Sequence, residues 1–244
     1  MRDWPNTRYW LVGASQGLGR AVAHELSKTG AEVILSARSG DALEELAGEL
    51  PGKSHVVTVD VGDDASVAAA AEAVGEIDGM VFLAGLYWPM TAADFDGDKA
   101  ASMLDVNLTG AARVLGHVLP PMVARDRGHI VLTGSLSGFR GLPGANGYGA
   151  SKAGIMSMAE TLYADLRTTG VDVQLINPGF IKTRLTEKNA FSMPFIMEPE
   201  AAAKLYVDHM QGDDFGRNFP RHFGAMFRLS QFLPDWVYYR LFGT

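Results

Sequence analysis

Tyr148 and Lys152 stand four residues apart, and Ser135 lies thirteen residues before the tyrosine. If the first two open a helix, both side chains leave from one face. A phenol is a poor acid or base near neutrality, with a reference pKa of about 10, and a neighbouring ammonium favours the phenolate. A tyrosine tuned in this way can give a proton to a carbonyl oxygen, or take one from an alcohol, while a hydride moves to or from a nicotinamide. A serine hydroxyl beside it can hold the same oxygen. A Tyr-x-x-x-Lys pair is equally at home on an ordinary helix surface, so its surroundings carry the argument.

A second constellation lies near the amino terminus. Gly13-Ala14-Ser15-Gln16-Gly17-Leu18-Gly19-Arg20 follows a short apolar run and leads into a helical pattern. Unpaired N–H groups at a helix start, with glycines that let a pyrophosphate approach the backbone, make an anion site. The spacing G-x-x-x-G-x-G is not the better-known G-x-G-x-x-G, and a tight strand-to-helix turn alone accounts for three glycines. Its place in the first βα unit is what points to a nucleotide. At the end of the second strand the run is Leu35-Ser36-Ala37-Arg38-Ser39. NAD-binding folds put a carboxylate there, on the ribose hydroxyls. Here none is present, and Arg38 can form a charge-assisted fork with a 2′-phosphate, so NADP(H) is expected in preference to NAD(H). The bland reading of Arg38 is a solvated loop residue. Asp60-Val61 follows the third strand, where an aspartate can reach adenine or simply cap the next helix.

The elements that must position these groups are legible as alternating patterns. Strands are predicted at Tyr9–Val12, Glu32–Ser36, His55–Val59, Gly79–Leu83, His129–Thr133 and Val171–Ile176, with helices over Leu18–Thr29, Asp41–Leu50, Ala65–Val74, Lys99–Ala124 and Tyr148–Thr168. This alternation predicts an α/β chain with a mainly parallel sheet and right-handed crossovers. The strands are unbroken apolar runs, as in Val33-Ile34-Leu35, which implies helices on both faces, a doubly wound fold. Ser135 then falls just past the fifth strand, at the carboxyl edge where such sheets bind ligands. No repeat or linker divides the chain, so residues 1–244 read as one domain, with 186–244 as a substrate lid and C-terminal extension.

Composition narrows the function classes. A formal charge of -7 argues against nucleic acid and against broad affinity for anionic membranes, leaving small molecules as partners. The absence of cysteine excludes disulfides, thiolate metal sites and a thiol nucleophile, and suits a cytoplasmic protein. The polar start, Met1 to Tyr9, lacks the pattern of a secretory signal, and no apolar run reaches membrane-spanning length. The six histidines are scattered without metal-binding spacing, so no metal is expected.

The glycine turn, Asn107 within Leu104-Asp105-Val106-Asn107, Ser135 within Thr133-Gly134-Ser135, the Tyr148 and Lys152 pair and Pro178-Gly179 occur in one order and spacing. Together they resemble the short-chain dehydrogenase/reductase family from about Tyr9 to Leu185. The resemblance implies a Rossmann-type sheet of order 3-2-1-4-5-6-7 and a homodimer or homotetramer paired through the helices around Lys99–Ala124 and Tyr148–Thr168. It makes Asn107, Ser135, Tyr148 and Lys152 catalytic, with Asn107 supporting a water that links Lys152 to solvent. It also places Gly13, Ser15, Gln16, Gly17, Leu18, Gly19, Ala84, Gly85, Tyr148, Lys152, Pro178, Gly179, Ile181 and Thr183 at the cofactor. The sequence departs from the family where Phe82-Leu83-Ala84-Gly85 stands in place of Asn-Asn-Ala-Gly. That questions local architecture and cofactor affinity more than chemistry.

The expected activity is hydride transfer between NADP(H) and a carbonyl or secondary alcohol, most simply as a carbonyl reductase. Two alternatives stand beside it. One is reduction of a carrier-bound 3-ketoacyl group, for which Arg125, Arg127 and Arg140 are docking candidates; the other is a cofactor sensor or scaffold without turnover. Met193, Phe195, Ile196 and Met197 fall where related enzymes carry a mobile lid, though plain core packing also fits. The tail from Phe219 to Phe242 interleaves aromatics with Arg221, Arg228 and Arg240. It is expected to pack on the body or a neighbouring subunit, with membrane contact as the second reading.

Overall fold

The unbroken apolar runs form strands that are covered on both sides. In the computed structural model, which describes residues 2–189 and 191–243, β1 (Arg8–Val12), β2 (Glu32–Ser36), β3 (Ser54–Val56), β4 (Gly79–Phe82), β5 (Gly128–Thr133), β6 (Val171–Pro178) and β7 (Gly216–Phe219) make one sheet. Ala190 of the expected lid, Met1 and Thr244 lie outside the described residues. The strand order is β3-β2-β1-β4-β5-β6-β7, and every neighbouring pair is parallel.

Successive side chains of a strand point to opposite faces. Trp10, Val12, Ile34, Met80, Phe82, Ile130 and Leu132 pack on one side with α3 (Asp64–Val74), α5 (Gly110–Ala124) and α6 (Tyr148–Leu166). The intervening Tyr9, Leu11, Val33, Leu35, Val81 and Val131 pack on the other with α1 (Gly17–Lys28), α2 (Gly40–Glu49) and α7 (Pro199–Met210). Because neither set faces water, neither is polar, which is why the strands carry no alternation.

The structure departs from the sequence reading at four places. The single helix expected over Lys99–Ala124 is α4 (Gly97–Leu104) and α5 joined by one π-helical turn, Asp105–Thr109. The third strand ends at Val56, although Val57 N–H still donates to Leu35 O at 3.1 Å and Val59 N–H to Ala37 O at 3.0 Å. β7 is short, polar and at the sheet edge, so it has no apolar run to announce it. The tail forms two further helices, α8 (Arg221–Ser230) and α9 (Asp235–Phe242). Among the described residues, no helix is long and apolar enough to cross a membrane.

β1 and β4 are neighbours whose connections leave to opposite faces, so a crevice opens beyond their carboxyl ends. Gly13, with φ of +98°, sits there, and a Cβ on it would overlap the backbone of Ala84. Gly13→Ala therefore combines left-handed strain with a collision against main chain that has little room to move. The expected cost is about 3 kcal/mol or more, read as a lower midpoint in urea.

Candidate active site

At the carboxyl edge of β5 and the start of α6, close backbone approaches bring the chemistry-bearing side chains together. Gly147, with φ of +75°, precedes α6, and a Cβ on it would lie 2.7 Å from Met103 Cε and 3.0 Å from Ala100 Cα. Glycine there lets the start of α6, Tyr148 itself, press on α4. A Cβ on Gly138 would lie 2.9 Å from the carbonyl carbon of Lys152, so the turn after Ser135 rests directly on α6. The Ser135 hydroxyl accepts from Ser137 N–H at 3.2 Å and from Ser137 Oγ at 3.0 Å. Both are bonds to its lone pairs, which leaves its own proton free for another acceptor.

Lys152 is 4% exposed. Its Nζ donates to Thr133 O at 2.9 Å and lies 5.7 Å from the centre of the Tyr148 ring. Burial governs both groups. It pushes the Tyr148 hydroxyl up to about 12, with the Ser135 hydroxyl pulling more weakly the other way, and holds Lys152 down at about 8. The ammonium was expected to lower the tyrosine; at this separation desolvation outweighs it. At neutral pH the pair is a neutral phenol beside a buried cation, a state suited to giving a proton away.

Asn107 is fully buried in the π turn. Its Oδ1 accepts from Leu86 N–H at 2.6 Å, and its Nδ2 donates to Leu86 O at 3.0 Å and to Ser151 Oγ at 2.9 Å. The side chain thus ties the segment after β4 to α6. A Cβ on Gly85 would lie 3.6 Å from Asn107 Oδ1 and 4.0 Å from Lys152 Nζ, so Gly85 sits between the two. A π turn also takes main-chain groups out of the regular ladder, a recurrent feature of functional sites. Leu83, in place of the family's asparagine, packs on the sheet face that α1 and α7 cover.

The glycine turn has the form of an anion cradle. Gly19 allows α1 to approach β1, since a Cβ on it would overlap Gly13 O, and a Cβ on Gly17 would lie 2.9 Å from Thr183 Cγ2. Gln16 caps α1 without a side-chain bond, and no acid stands in the first turn. The helix N–H groups therefore meet no anion from the chain itself. Ser15 and Leu18 flank the turn, both partly buried. Arg38 is exposed beyond β2 and, among the described residues, has no acidic partner. Asp63, not Asp60, caps α3, through bonds from Ala65 and Ser66 N–H. Asp60 Oδ1 accepts from Gly62 N–H at 3.0 Å beside the buried Val61. Pro178 ends β6, Gly179 N–H donates to Phe219 O at 2.7 Å, and Ile181 is buried in a bridge to Met197.

Four contributors carry no sequence motif. Arg184 Nη1 donates to Gln16 Oε1 at 3.2 Å, bringing a second guanidinium to the glycine turn. The Tyr87 ring stands edge-on to Tyr148 at 4.9 Å, and its hydroxyl donates to Asn189 Oδ1 at 2.7 Å. Lys188 Nζ donates to Tyr87 O at 2.8 Å. Residues 86–88 and 186–189 therefore meet over Tyr148. In the expected lid, Phe195 and Ile196 are exposed while Met193 and Met197 are partly buried, so core packing does not account for the segment. Of the arginines suggested for carrier docking, two are far from the mouth. Arg125 and Arg127 precede β5 and so lie at the opposite sheet edge, paired with Glu76 and Asp78. Arg140 is tied to Asp235.

The sequence model described as short chain dehydrogenase matches residues 9–192. An uncharacterized oxidoreductase of Myxococcus xanthus (strain DK1622) is 38% identical over 233 residues, covering 92% of this chain and 92% of that protein. Among solved structures, the closed form of serine dehydrogenase complexed with NADP+ matches with a TM-score of 0.78 at 26% identity, over 87% of this chain and 94% of that one. A single-residue variant of actinorhodin polyketide ketoreductase with NADPH matches with a TM-score of 0.78 at 26% identity, over 89% and 97%.

Proposed function

This chain belongs to the short-chain dehydrogenase/reductase family and is an oxidoreductase, and from that premise we propose that it is an NADP(H)-dependent carbonyl reductase of small molecules. The observation that carries the reading is the gathering of Ser135, Tyr148, Lys152 and Asn107 at the carboxyl edge of β5, next to a glycine cradle that side chains would fill. Bound NADPH would supply the hydride that adds to the carbonyl carbon; the chain acts at the oxygen. Ser135 donates a hydrogen bond to that oxygen, and Tyr148 transfers its phenolic proton to it as negative charge develops. Lys152, cationic below about pH 8, then offsets the phenolate until Tyr148 is reprotonated. Asn107 is a positioning residue, holding Leu86 and Ser151 about the lysine. In the oxidative direction the same groups run in reverse.

The cradle would hold the cofactor through the N–H groups of Ser15, Gln16, Gly17, Leu18 and Gly19, while Gly13, whose own N–H donates to Ser36 O at 2.7 Å, leaves room beside them. Asp60 and Val61 take the adenine side; Ala84 and Gly85 line the crevice beside the glycine turn, and Pro178, Gly179, Ile181 and Thr183 take the nicotinamide side. The choice of NADP(H) rests on Arg38, a solvated guanidinium with no acid among the described residues to compete for it, and the two NADP(H)-bound neighbours favour the same choice. Arg38→Asp removes the 2′-phosphate partner and adds a repelling charge. It should shift relative kcat/KM from NADPH towards NADH by about 100-fold, the worth of one charged hydrogen-bonded pair lost. An unchanged preference would remove Arg38 from the site.

Residues 1–244 act in this reading as one cytoplasmic domain, with 186–244 as lid and extension. Exposed Leu104, Val123 and Tyr163 support pairing of subunits through the α4–α6 region. Arg125, Arg127 and Arg140 are each paired with an acid, so none of the three is a free landing site for an acyl carrier. A pure sensor has no use for the proton-handling groups. The first experiment is an NADPH and NADH titration followed by NADPH oxidation against aldehydes, ketones and diketones. Binding with turnover supports the reductase; tight binding with no turnover across the panel returns the sensor.

A further inference from the structure

The outer face of the C-terminal helices is apolar and uncovered. α8 buries Phe223, Gly224, Phe227 and Ser230, with the two phenylalanines against Leu136. Its other side and the chain beyond it expose Met226 (42%), Leu229 (66%), Phe232 (82%), Trp236 (74%) and Leu241 (66%). Met226 and Leu229 lie one turn apart on a single helix face, with Phe232 next in line. One exposed apolar side chain is ordinary; five within residues 226–241 call for an occupant.

The face is held outward by built structure. Arg140 Nη1 donates to Ser230 O at 3.1 Å and to Leu233 O at 2.8 Å, and Nη2 pairs with Asp235. The guanidinium lies 4.0 Å over the Tyr238 ring, whose hydroxyl donates to Gly141 O at 2.9 Å. The inner half of the tail thus packs on the body, as expected from the sequence, and the outer half is what remains to be explained.

The unpaired acidic and basic side chains within the tail, among the described residues, have one sign. Arg221, Arg228 and Arg240 are exposed and have no acidic partner among the described residues. Asp235, the one acid between residues 215 and 244, is committed to Arg140. A basic, aromatic island therefore stands on a chain of charge -7.

We propose that this face docks on an anionic lipid bilayer, with α8 and α9 lying in the headgroup layer. A second copy is a poorer occupant. A closed dimer apposes a patch to itself, which would set three arginines against three with no free acid between them. Lipid phosphates supply that anion, and Trp236 and Tyr239 are side chains with an apolar body and a polar tip, suited to the interface. The net negative charge turns the acidic body away from the surface and so orients the approach. Because α8 packs on Leu136, next to Ser135, docking brings the cleft beside the bilayer. The docking itself does not depend on the catalytic reading.

The test is co-sedimentation of the purified chain with phosphatidylcholine vesicles made with and without phosphatidylglycerol. Binding should be at least about tenfold stronger to the anionic vesicles, with a blue shift in tryptophan emission that Trp236→Phe removes. Each of Arg221→Gln, Arg228→Gln and Arg240→Gln should weaken binding about fivefold, and added salt should do the same. Phe232→Ser with Trp236→Ser should abolish binding while leaving Tm and NADPH affinity unchanged, since both side chains are largely solvated. No binding to anionic vesicles at low ionic strength overturns the proposal. So does binding that the double serine variant retains, and so does a concentration-dependent dimer that this variant dissolves.

Discussion

Tyr148→Phe is expected to lower NADPH-dependent turnover by about three orders of magnitude while changing the Kd for NADPH by less than about twofold. The substitution deletes one oxygen and keeps the ring, so the edge-on contact with Tyr87 at 4.9 Å and the packing of α6 on α4 survive. What is lost is the proton that this reading transfers to the substrate oxygen. Fluorescence titration and single-turnover NADPH oxidation separate the two quantities; turnover near that of the parent protein would remove Tyr148 as the acid. The pH profile adds a second reading. With its hydroxyl raised to about 12, Tyr148 keeps its proton through the neutral range, whereas Lys152 loses its own near 8. Reduction should therefore be flat below about pH 7 and fall through one ionisation near pH 8. Lys152, not the phenol, sets that limb.

Lys152→Met is expected to abolish turnover and yet make the protein more stable at pH 7. The folded chain buries this ammonium against a carbonyl oxygen with no carboxylate paired to it among the described residues, and its pKa drops from 10.5 to about 8. Below pH 8 both the folded and unfolded states hold the proton, and the folded state bears the full cost of a desolvated cation. Between about 8 and 10.5 the unfolded chain binds the proton and the folded one does not, so stability rises with pH. Above that window the cost is gone. The linkage amounts to about 3 kcal/mol, from which the lost bond to Thr133 O subtracts, leaving a net gain of about 1–2 kcal/mol for the methionine. Urea denaturation at pH 7 and pH 10 checks it: the variant should lead at the lower pH, and the gap should close at the higher. A variant less stable at pH 7 would mean that the ammonium is better satisfied than its surroundings indicate.

Much of this was legible because it depends on side-chain type at fixed separation. The three glycines, the pair at 148 and 152 and the unbroken strands each answer a local demand, namely backbone approach, a shared helix face and two-sided burial. The rest depends on what lies across space. Arg184 meets Gln16, and Tyr87 meets Asn189, through loops whose paths no periodicity encodes. β7 is an edge strand with one buried residue, so the hydrophobic signal that found β2 is missing. The tyrosine's acidity was misjudged for the same reason: the lysine is visible in sequence, and the burial that outweighs it is not. Arg140 looked like a docking residue until the tail it clamps was in place.

Taken as a mechanical part, the stretch from Gly97 to Ala124 is a rod with one surplus residue near its middle. Each residue of an α-helix turns the chain by about 100°, so the surplus at Asp105–Thr109 sets the phase between the two halves. Deleting one residue there would restore a regular ladder and roll Ala100 and Met103 by about that angle against Val114 and Val118. The seat on which Gly147 rests would turn away, and the cleft would come apart with every residue that lines it unchanged.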